Sequence, residues 1–390
     1  MTSPHVFLVA AERSGDLLGA GLARELRTLT DGAVLLSGIG GSAMAEQGIV
    51  SAMPIDGLNI LGWIDGLRAY KRVKAAVATA VEAIIAARPD TVVLIDSWGF
   101  TLRVARGVRA IDPGIRLVKY VGPQVFATRP GRAEVLAASV DELLTILNFD
   151  GPYYQPHGLP VTFVGNPTLE RLPTGDGAAF RARHGIEAEK QVLVVLPGSR
   201  PSEIRRMAGP FVKALQRLTE RYPDLRLVLP VADPVAGQVD AVIAANPVLK
   251  TAIRVGEDEK ADAFAAADVA LACSGTVVTE LATAGVPTVA SYKLGWITWG
   301  LVRAFNLLKT PHISLVNIAA NARIIPEVIQ LACTGDNLAA AVEPLLDSGE
   351  RRAEMSTRLK AVTAELRGTG QASRRAAEAV LAGIGFNPAP

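Results

Sequence analysis

The sequence predicts an α/β protein made of two Rossmann-like halves with a helical tail. Three observations carry this expectation. Short apolar, β-branched runs recur between helical stretches without alternating with polar residues. Such runs are strands buried on both faces, as in parallel sheets. The strand–helix alternation appears twice, on either side of a polar stretch at 168–190 that carries Pro173, Gly175 and Gly177. Several strands also run straight into a glycine-bearing turn and then a helix. The boundaries read as an N-terminal Rossmann-like domain at 1–167, a linker at 168–190, a second Rossmann-like domain at 191–349 and a helical tail at 350–390. A chain of 390 residues is long enough for two or three full cores. Two similar halves on one linker predict a cleft between them.

In the first half, Val6–Ala10 reads as a strand and Leu17–Arg27 as a helix, with Ser14 as the cap in the turn Ala11–Asp16. Val34–Ser37 is a second strand. The string Gly38-Ile39-Gly40-Gly41-Ser42-Ala43 follows it and fits G-x-G-x-x-[GA]. It follows the second strand, and no acidic residue closes a well-formed next strand. It is therefore read as backbone space for a substrate, with a nicotinamide site as the alternative. Leu58–Tyr70 carries Trp63 among apolar residues, with Arg68, Lys71, Arg72 and Lys74 at its end. Such a segment rests on anionic lipid, or it is a core helix with a charged outer face. Val73–Ala87 is a long helix. Pro89–Ile95 is a strand that ends in Asp96. An acid at the carboxyl end of a parallel strand faces the crevice where such sheets bind ligands, so Asp96 is assigned a catalytic role. The alternative is a cap for the helix from Thr101. Arg116–Val121, Glu142–Leu147 and Val161–Val164 complete the strands of this half.

The second half has strands at Val192–Leu196, Leu225–Val231, Ala252–Val255, Val269–Cys273 and Thr288–Tyr292. After the first of these, Pro197 stops the strand, Gly198 and Ser199 turn the chain, and Arg200 stands at the mouth of the turn. Ser202 reads as the cap of the next helix and Glu203 as an acid suited to its dipole. Free N–H groups at a helix start, with an arginine beside them, hold an anion. The alternative is an ordinary loop with a solvated arginine. Ser274-Gly275-Thr276 repeats the arrangement before a second helix, and Glu280 lies one turn in. A carboxylate there accepts two hydrogen bonds from a ribose diol, unless it is a plain exposed helix residue. Together Arg200, Ser274, Gly275, Thr276 and Glu280 predict a nucleoside-diphosphate site.

Composition excludes several functions. Lys+Arg is 40 against Asp+Glu 38, a net charge of +2, and no basic run stands out, so no nucleic-acid partner is expected. Two cysteines make no disulfide framework and fit a reducing compartment. The four histidines are scattered, and no metal-type Cys/His spacing occurs. The N-terminus runs straight into a strand, which reads as no signal peptide, and no apolar stretch reaches the roughly 18 residues of a spanning helix.

With these residues in hand the chain resembles the lipid-A-disaccharide synthase family. The resemblance runs from about residue 5 to 380. It rests on Glu12-Arg13-Ser14-Gly15-Asp16-Leu17-Leu18-Gly19-Ala20, Gly38–Gly41, Ile95-Asp96, Phe163–Gly165, Leu196–Arg200, Ser274–Thr276 with Glu280, Ser314–Asn317, and Pro326-Glu327 with Gln330. It implies a GT-B fold with the acceptor lipid in the first half and the donor nucleotide in the second. It also implies metal-free, cofactor-free transfer of 2,3-diacylglucosamine from its UDP donor to 2,3-diacylglucosamine 1-phosphate. Inversion would give the β-1,6 disaccharide 1-phosphate and UDP. Asp96 is then the base. Arg200, Ser199, Ser274, Gly275, Thr276, Glu280, Asn317, Ser14, Gly15 and Asp16 bind substrate. The loops at 97–101, 122–129 and 318–322 depart from the family pattern, so the acceptor side differs most. A UDP-sugar epimerase on the same fold and a non-catalytic sugar-nucleotide sensor are the alternatives.

Acylated substrates place the protein in the cytoplasm, peripheral at the inner face of the inner membrane. Trp63 with Arg68, Lys71 and Arg72, and Trp296 and Trp299 with Lys293, Arg303 and Lys309, are the expected contacts with an anionic membrane surface. Monomer and homodimer both stay open.

Overall fold

The computed structural model describes residues 3–55, 66–304 and 309–386. The chain forms two compact units. One comprises residues up to Glu170 together with those from Arg367 onward; the other is Arg171–Leu366.

The first unit opens with β1 (His5–Ala10), α1 (Arg13–Leu29), β2 (Leu35–Ile39), α2 (Ser42–Glu46) and α3 (Gly66–Ala87). Then come β3 (Thr91–Ile95), α4 (Trp98–Ile111), β4 (Arg116–Tyr120), α5 (Arg132–Ala137) and β5 (Glu142–Thr145). It continues through α6 (Gly151–Tyr154), β6 (Val161–Phe163) and α7 (Pro167–Glu170). All six strands are parallel, in the order β2-β1-β3-β4-β5-β6. The order reverses between β1 and β3. β3 is buried at every position, as its unbroken apolar run requires. One face of the sheet packs Val92, Leu94 and Leu117 against α3 and α4 through Ile84 and Val104. The other packs Val93, Ile95 and Val118 against α1 through Leu18, Leu22 and Leu26.

The second unit begins with α8 (Gly177–Arg183), which lies inside the stretch expected to be a linker. It continues with β7 (Val192–Leu196), α9 (Pro201–Arg221), β8 (Arg226–Pro230), α10 (Ala236–Ala245), β9 (Ile253–Val255) and α11 (Lys260–Ala266). Then follow β10 (Val269–Cys273), α12 (Thr276–Ala284), β11 (Thr288–Tyr292), α13 (Trp296–Ala304) and α14 (Leu315–Ala320). β12 (Glu327–Ile329), α15 (Gly335–Asp347) and α16 (Gly349–Arg367) close it. This sheet is also parallel, in the order β12-β11-β10-β7-β8-β9, and it reverses between β7 and β10.

The segment 350–390 divides. α16 belongs to the second unit, and α17 (Ala372–Ala382) returns to the first. There Ala376, Ala377, Val380 and Leu381 are fully buried in the α1 face of the sheet. Burying Val380 and Leu381 is worth about 1.5–3 kcal/mol each, which favours the return. The Ala372 amide donates to Glu170 Oε1 at 2.9 Å, and the Arg375 guanidinium donates to the Phe163 carbonyl at 2.8 Å.

Candidate functional site

In open parallel sheets, ligands bind outside the carboxyl ends of the strands where the order reverses. In the first unit that point lies beyond β1 and β3. β1 leads to Glu12, the N-cap of α1, and β3 leads to Asp96 and Ser97. Asp96 and Ser97 both have left-handed backbones, with φ of +47° and +42°. Such conformations cost non-glycine residues energy and are held by their surroundings. The Ser97 hydroxyl donates to Glu12 Oε1 at 2.6 Å, tying the two strand ends together. Behind the turn, buried Lys119 donates from Nζ to the Asp96 carbonyl and to Thr101 Oγ1. Among the described residues none donates a hydrogen bond to the Asp96 carboxylate. The expected alternative, Asp96 as cap of the next helix, does not occur: Ser97 is the N-cap of α4, with no side-chain capping bond.

In the second unit the reversal lies beyond β7 and β10, where the chain places Gly198–Arg200 and Ser274–Thr276. The first turn differs from expectation. Arg200, not Ser202, is the N-cap of α9. The buried Glu203 carboxylate accepts the Ser199 amide at 3.0 Å and the Arg200 amide at 3.3 Å. Gly198, with φ of +134°, lets Glu203 pack beneath the turn, where a Cβ would sit 2.5 Å from the Glu203 Cβ. The chain's own carboxylate thus fills this helix start, and the Ser199 and Arg200 amides are not open to phosphate. What remains for an anion is the Arg200 side chain, 74% exposed and 3.4 Å from Glu203 Oε1.

The second turn is open. Gly275 is the N-cap of α12 with no side-chain cap, and Gly275 and Thr276 are exposed. Glu280 is oriented by Lys260, whose Nζ lies 3.1 Å from Glu280 Oε2 and 2.7 Å from Glu257 Oε2. Arg200 and Arg206 both act electrostatically on the Cys273 thiol, at the end of β10, so the two turns share one neighbourhood. Burial, more than any charge, pushes that thiol up to about 12, which leaves it inert. Lys260, Arg206 and Lys119 were not singled out in the sequence. Lys119 alone carried a signal, as a lysine inside the apolar run of β4.

Several expected ligand residues are spent on the fold. Asp16 is 3% exposed, and its carboxylate accepts the amides of Gly41 at 2.7 Å, Ala43 at 2.9 Å and Met44 at 3.1 Å. The carboxylate expected to meet substrate thus fills the start of α2. These contacts weigh against the nicotinamide alternative at Gly38–Ala43: Asp16 holds the Gly41 and Ala43 amides, and the Ser51 hydroxyl accepts the Gly40 amide at 3.1 Å. Gly41 is required there since a Cβ would lie 2.8 Å from Asp16 Oδ2. Asn317 is fully buried. Its amide donates to the Ile325 carbonyl at 2.8 Å and Glu327 Oε1 at 2.9 Å, and its oxygen accepts from Ile324 and Ile325, each at 2.9 Å. It braces the α14–β12 connection and has no polar atom left for a diphosphate. Gly15 is buried in α1. Ser14 is exposed one residue into that helix and does not cap it, since Glu12 holds the N-cap.

Of the expected membrane contacts, Trp296 on α13 is 75% exposed, Trp299 is half-buried, and Arg303 and Lys309 are exposed. Lys71 and Arg72 are exposed, whereas Trp63 lies outside the described residues. Among the described residues no helix is long and apolar enough to cross a membrane.

Comparison with known proteins agrees with this architecture. The fold is like that of the S. aureus MnaA–UDP co-structure, with a TM-score of 0.66 at 12% identity over 98% of both chains. It is also like the UDP-GlcNAc 2-epimerase from Neisseria meningitidis bound to UDP-GlcNAc, at 0.62 and 13%, over 97% of this chain and 100% of that one. Likeness at such identity concerns the fold alone. At the sequence level, the lipid-A-disaccharide synthase of Rhodospirillum centenum is 41% identical over 381 residues, 96% of this chain and 94% of that protein. Residues 6–382 match the family model described as lipid-A-disaccharide synthetase. The chain belongs to the lipid-A-disaccharide synthetase family.

Proposed function

We propose that this chain is a glycosyltransferase that moves 2,3-diacylglucosamine from UDP to 2,3-diacylglucosamine 1-phosphate, with inversion, releasing UDP. The family match along residues 6–382 carries the reading. The geometry supplies the parts. Asp96 takes the proton of the acceptor hydroxyl, and the freed oxygen attacks the anomeric carbon of the donor. The bond from that carbon to the diphosphate breaks, and its electron pair leaves with UDP. General-base help of this kind is worth roughly 10²–10⁴ in rate. Charge growing on the diphosphate is met by the Arg200 guanidinium, the Ser274 and Thr276 hydroxyls and the open start of α12. Ser199 lines the same turn. Glu280, steadied by Lys260, accepts the ribose hydroxyls.

Epimerases share only the fold at 13% identity, which favours transfer over epimerisation. The acylated substrates place the enzyme against the inner face of the inner membrane, with exposed Trp296 and the Arg303 and Lys309 cations facing anionic lipid. Mass spectrometry of a reaction with UDP-2,3-diacylglucosamine and 2,3-diacylglucosamine 1-phosphate tests the reading. The disaccharide 1-phosphate is expected only when both are present. A UDP-sugar isomer formed without acceptor, or UDP binding without turnover, would overturn it.

A further inference from the structure

Lys119 sits in the interior of the first sheet, on β4, opposite Leu94 of β3. Leu143 of β5 flanks it on the other side. It is 2% exposed. An ammonium in such surroundings is retained only when it is paired. Its partners are the turn that carries Asp96 and the first turn of α4 that follows it. Nζ donates to the Asp96 carbonyl, and it reaches Thr101 Oγ1 at 2.9 Å. The Thr101 hydroxyl in turn lies 2.8 Å from the Asp96 carbonyl and 3.1 Å from that of Ser97. From the end of β1, Glu12 accepts the Ser97 hydroxyl. Asp96 and Ser97 would not hold consecutive left-handed conformations without such restraint.

We propose that Lys119 is a positioning residue for glycosyl transfer: by gripping the Asp96 carbonyl and the Thr101 hydroxyl, it fixes the turn that presents the Asp96 carboxylate to the acceptor hydroxyl. This rests on the reading of Asp96 as base. The charged groups acting on the ammonium are the carboxylates of Asp96 and Glu12; Thr101 faces it from α4 and apolar Leu143 from β5. Burial pulls its pKa down to about 7, against the pull of those carboxylates.

The test uses the full chain with Lys119→Met, which keeps bulk and removes charge, and Thr101→Val, which removes the hydroxyl relay. Steady-state kcat and KM are measured with the UDP-diacylglucosamine donor, and UDP affinity by calorimetry reports an intact second unit. Circular-dichroism melting reports the first. For Lys119→Met, kcat is expected to fall by about 10², the cost of a small misplacement of a reacting group. Donor KM stays near the parent value, which a general loss of structure would not leave in place. Thr101→Val moves kcat the same way by less. A folded Lys119→Met with parental kcat overturns the proposal. If Lys119→Met does not fold, parental kcat in Thr101→Val overturns it. Asp96→Asn, run alongside, separates the two claims. Retained turnover there removes the base reading and this proposal with it, whereas retained turnover in Lys119→Met alone removes only the positioning role.

Discussion

The two sheets bring their strand ends to equivalent topological points and decorate them with opposite charge. At the reversal of the first sheet stand Asp96, on a left-handed turn pinned by a buried lysine, and Glu12, which accepts the Ser97 hydroxyl. At the reversal of the second stand Arg200, Arg206 and an uncapped helix start. Topology offers the same kind of place in each sheet, and a handful of turn residues gives one an acidic and the other a cationic lining. A second contrast lies within the second unit. α9 and α12 both start just after a strand, behind a glycine turn, yet Glu203 occupies the first and nothing among the described residues caps the second. A helix start is an anion site only where the chain has not already placed its own carboxylate there.

Removing the acid from the first point should have the largest effect. Asp96→Asn should lower kcat by roughly 10²–10⁴ while the protein still melts as the parent does. Near-parental turnover would break the contrast between the two points.

Asp150 sharpens the same comparison, because it is an acid of the first unit that the fold keeps protonated up to about pH 6. Burial raises its carboxyl to about 6, with the Thr145 hydroxyl pulling partway back. Its Oδ1 has no hydrogen-bond partner among the described residues. The folded chain therefore holds this proton between about pH 4, the unfolded value, and about pH 6. Stability from the group is complete below that window and is lost as pH rises through it. Asp150→Asn should stabilise the protein at pH 7.5 by on the order of 3 kcal/mol, and by little at pH 4, in denaturant unfolding. Equal effects at both pH values would mean that Asp150 does not titrate with folding.

The smallest expected effect is at α9. Glu203→Ala frees two amides and should cost about 0.5–2 kcal/mol, read as a lower melting temperature. An unchanged melting temperature would mean that the Glu203 carboxylate does not hold the turn.

Much of this was legible because parallel strands announce themselves as continuous apolar runs. Val192–Leu196, Val269–Cys273 and Thr288–Tyr292 form strands with the bounds read from the sequence. β12 carries no apolar run of its own, because Glu327–Ile329 opens on an acid and leaves only Val328 and Ile329. Asp96, Arg200 and Glu280 stand out in the sequence because each lies at a fixed offset from a strand end or helix start. What was hidden depends on distant partners. Asp16 looked like a ligand residue until α2 came to rest on it, and Asn317 looked free until it met Ile324 and Ile325. Ser14 and Ser202 have the chemistry of caps, yet Glu12 and Arg200 hold those positions. The destination of α17 rests on which apolar face needs covering, which no local pattern states.

The division of labour between the two points is tested most directly by titrating UDP calorimetrically into the Arg200→Ala and Asp96→Asn proteins. A charge-assisted contact to diphosphate is worth roughly 1.5–3 kcal/mol, so Arg200→Ala should weaken UDP at least tenfold. Asp96→Asn should bind UDP as the parent does. Unchanged affinity in Arg200→Ala, or a comparable loss in Asp96→Asn, would contradict the assignment of the anion to the second unit and the base to the first.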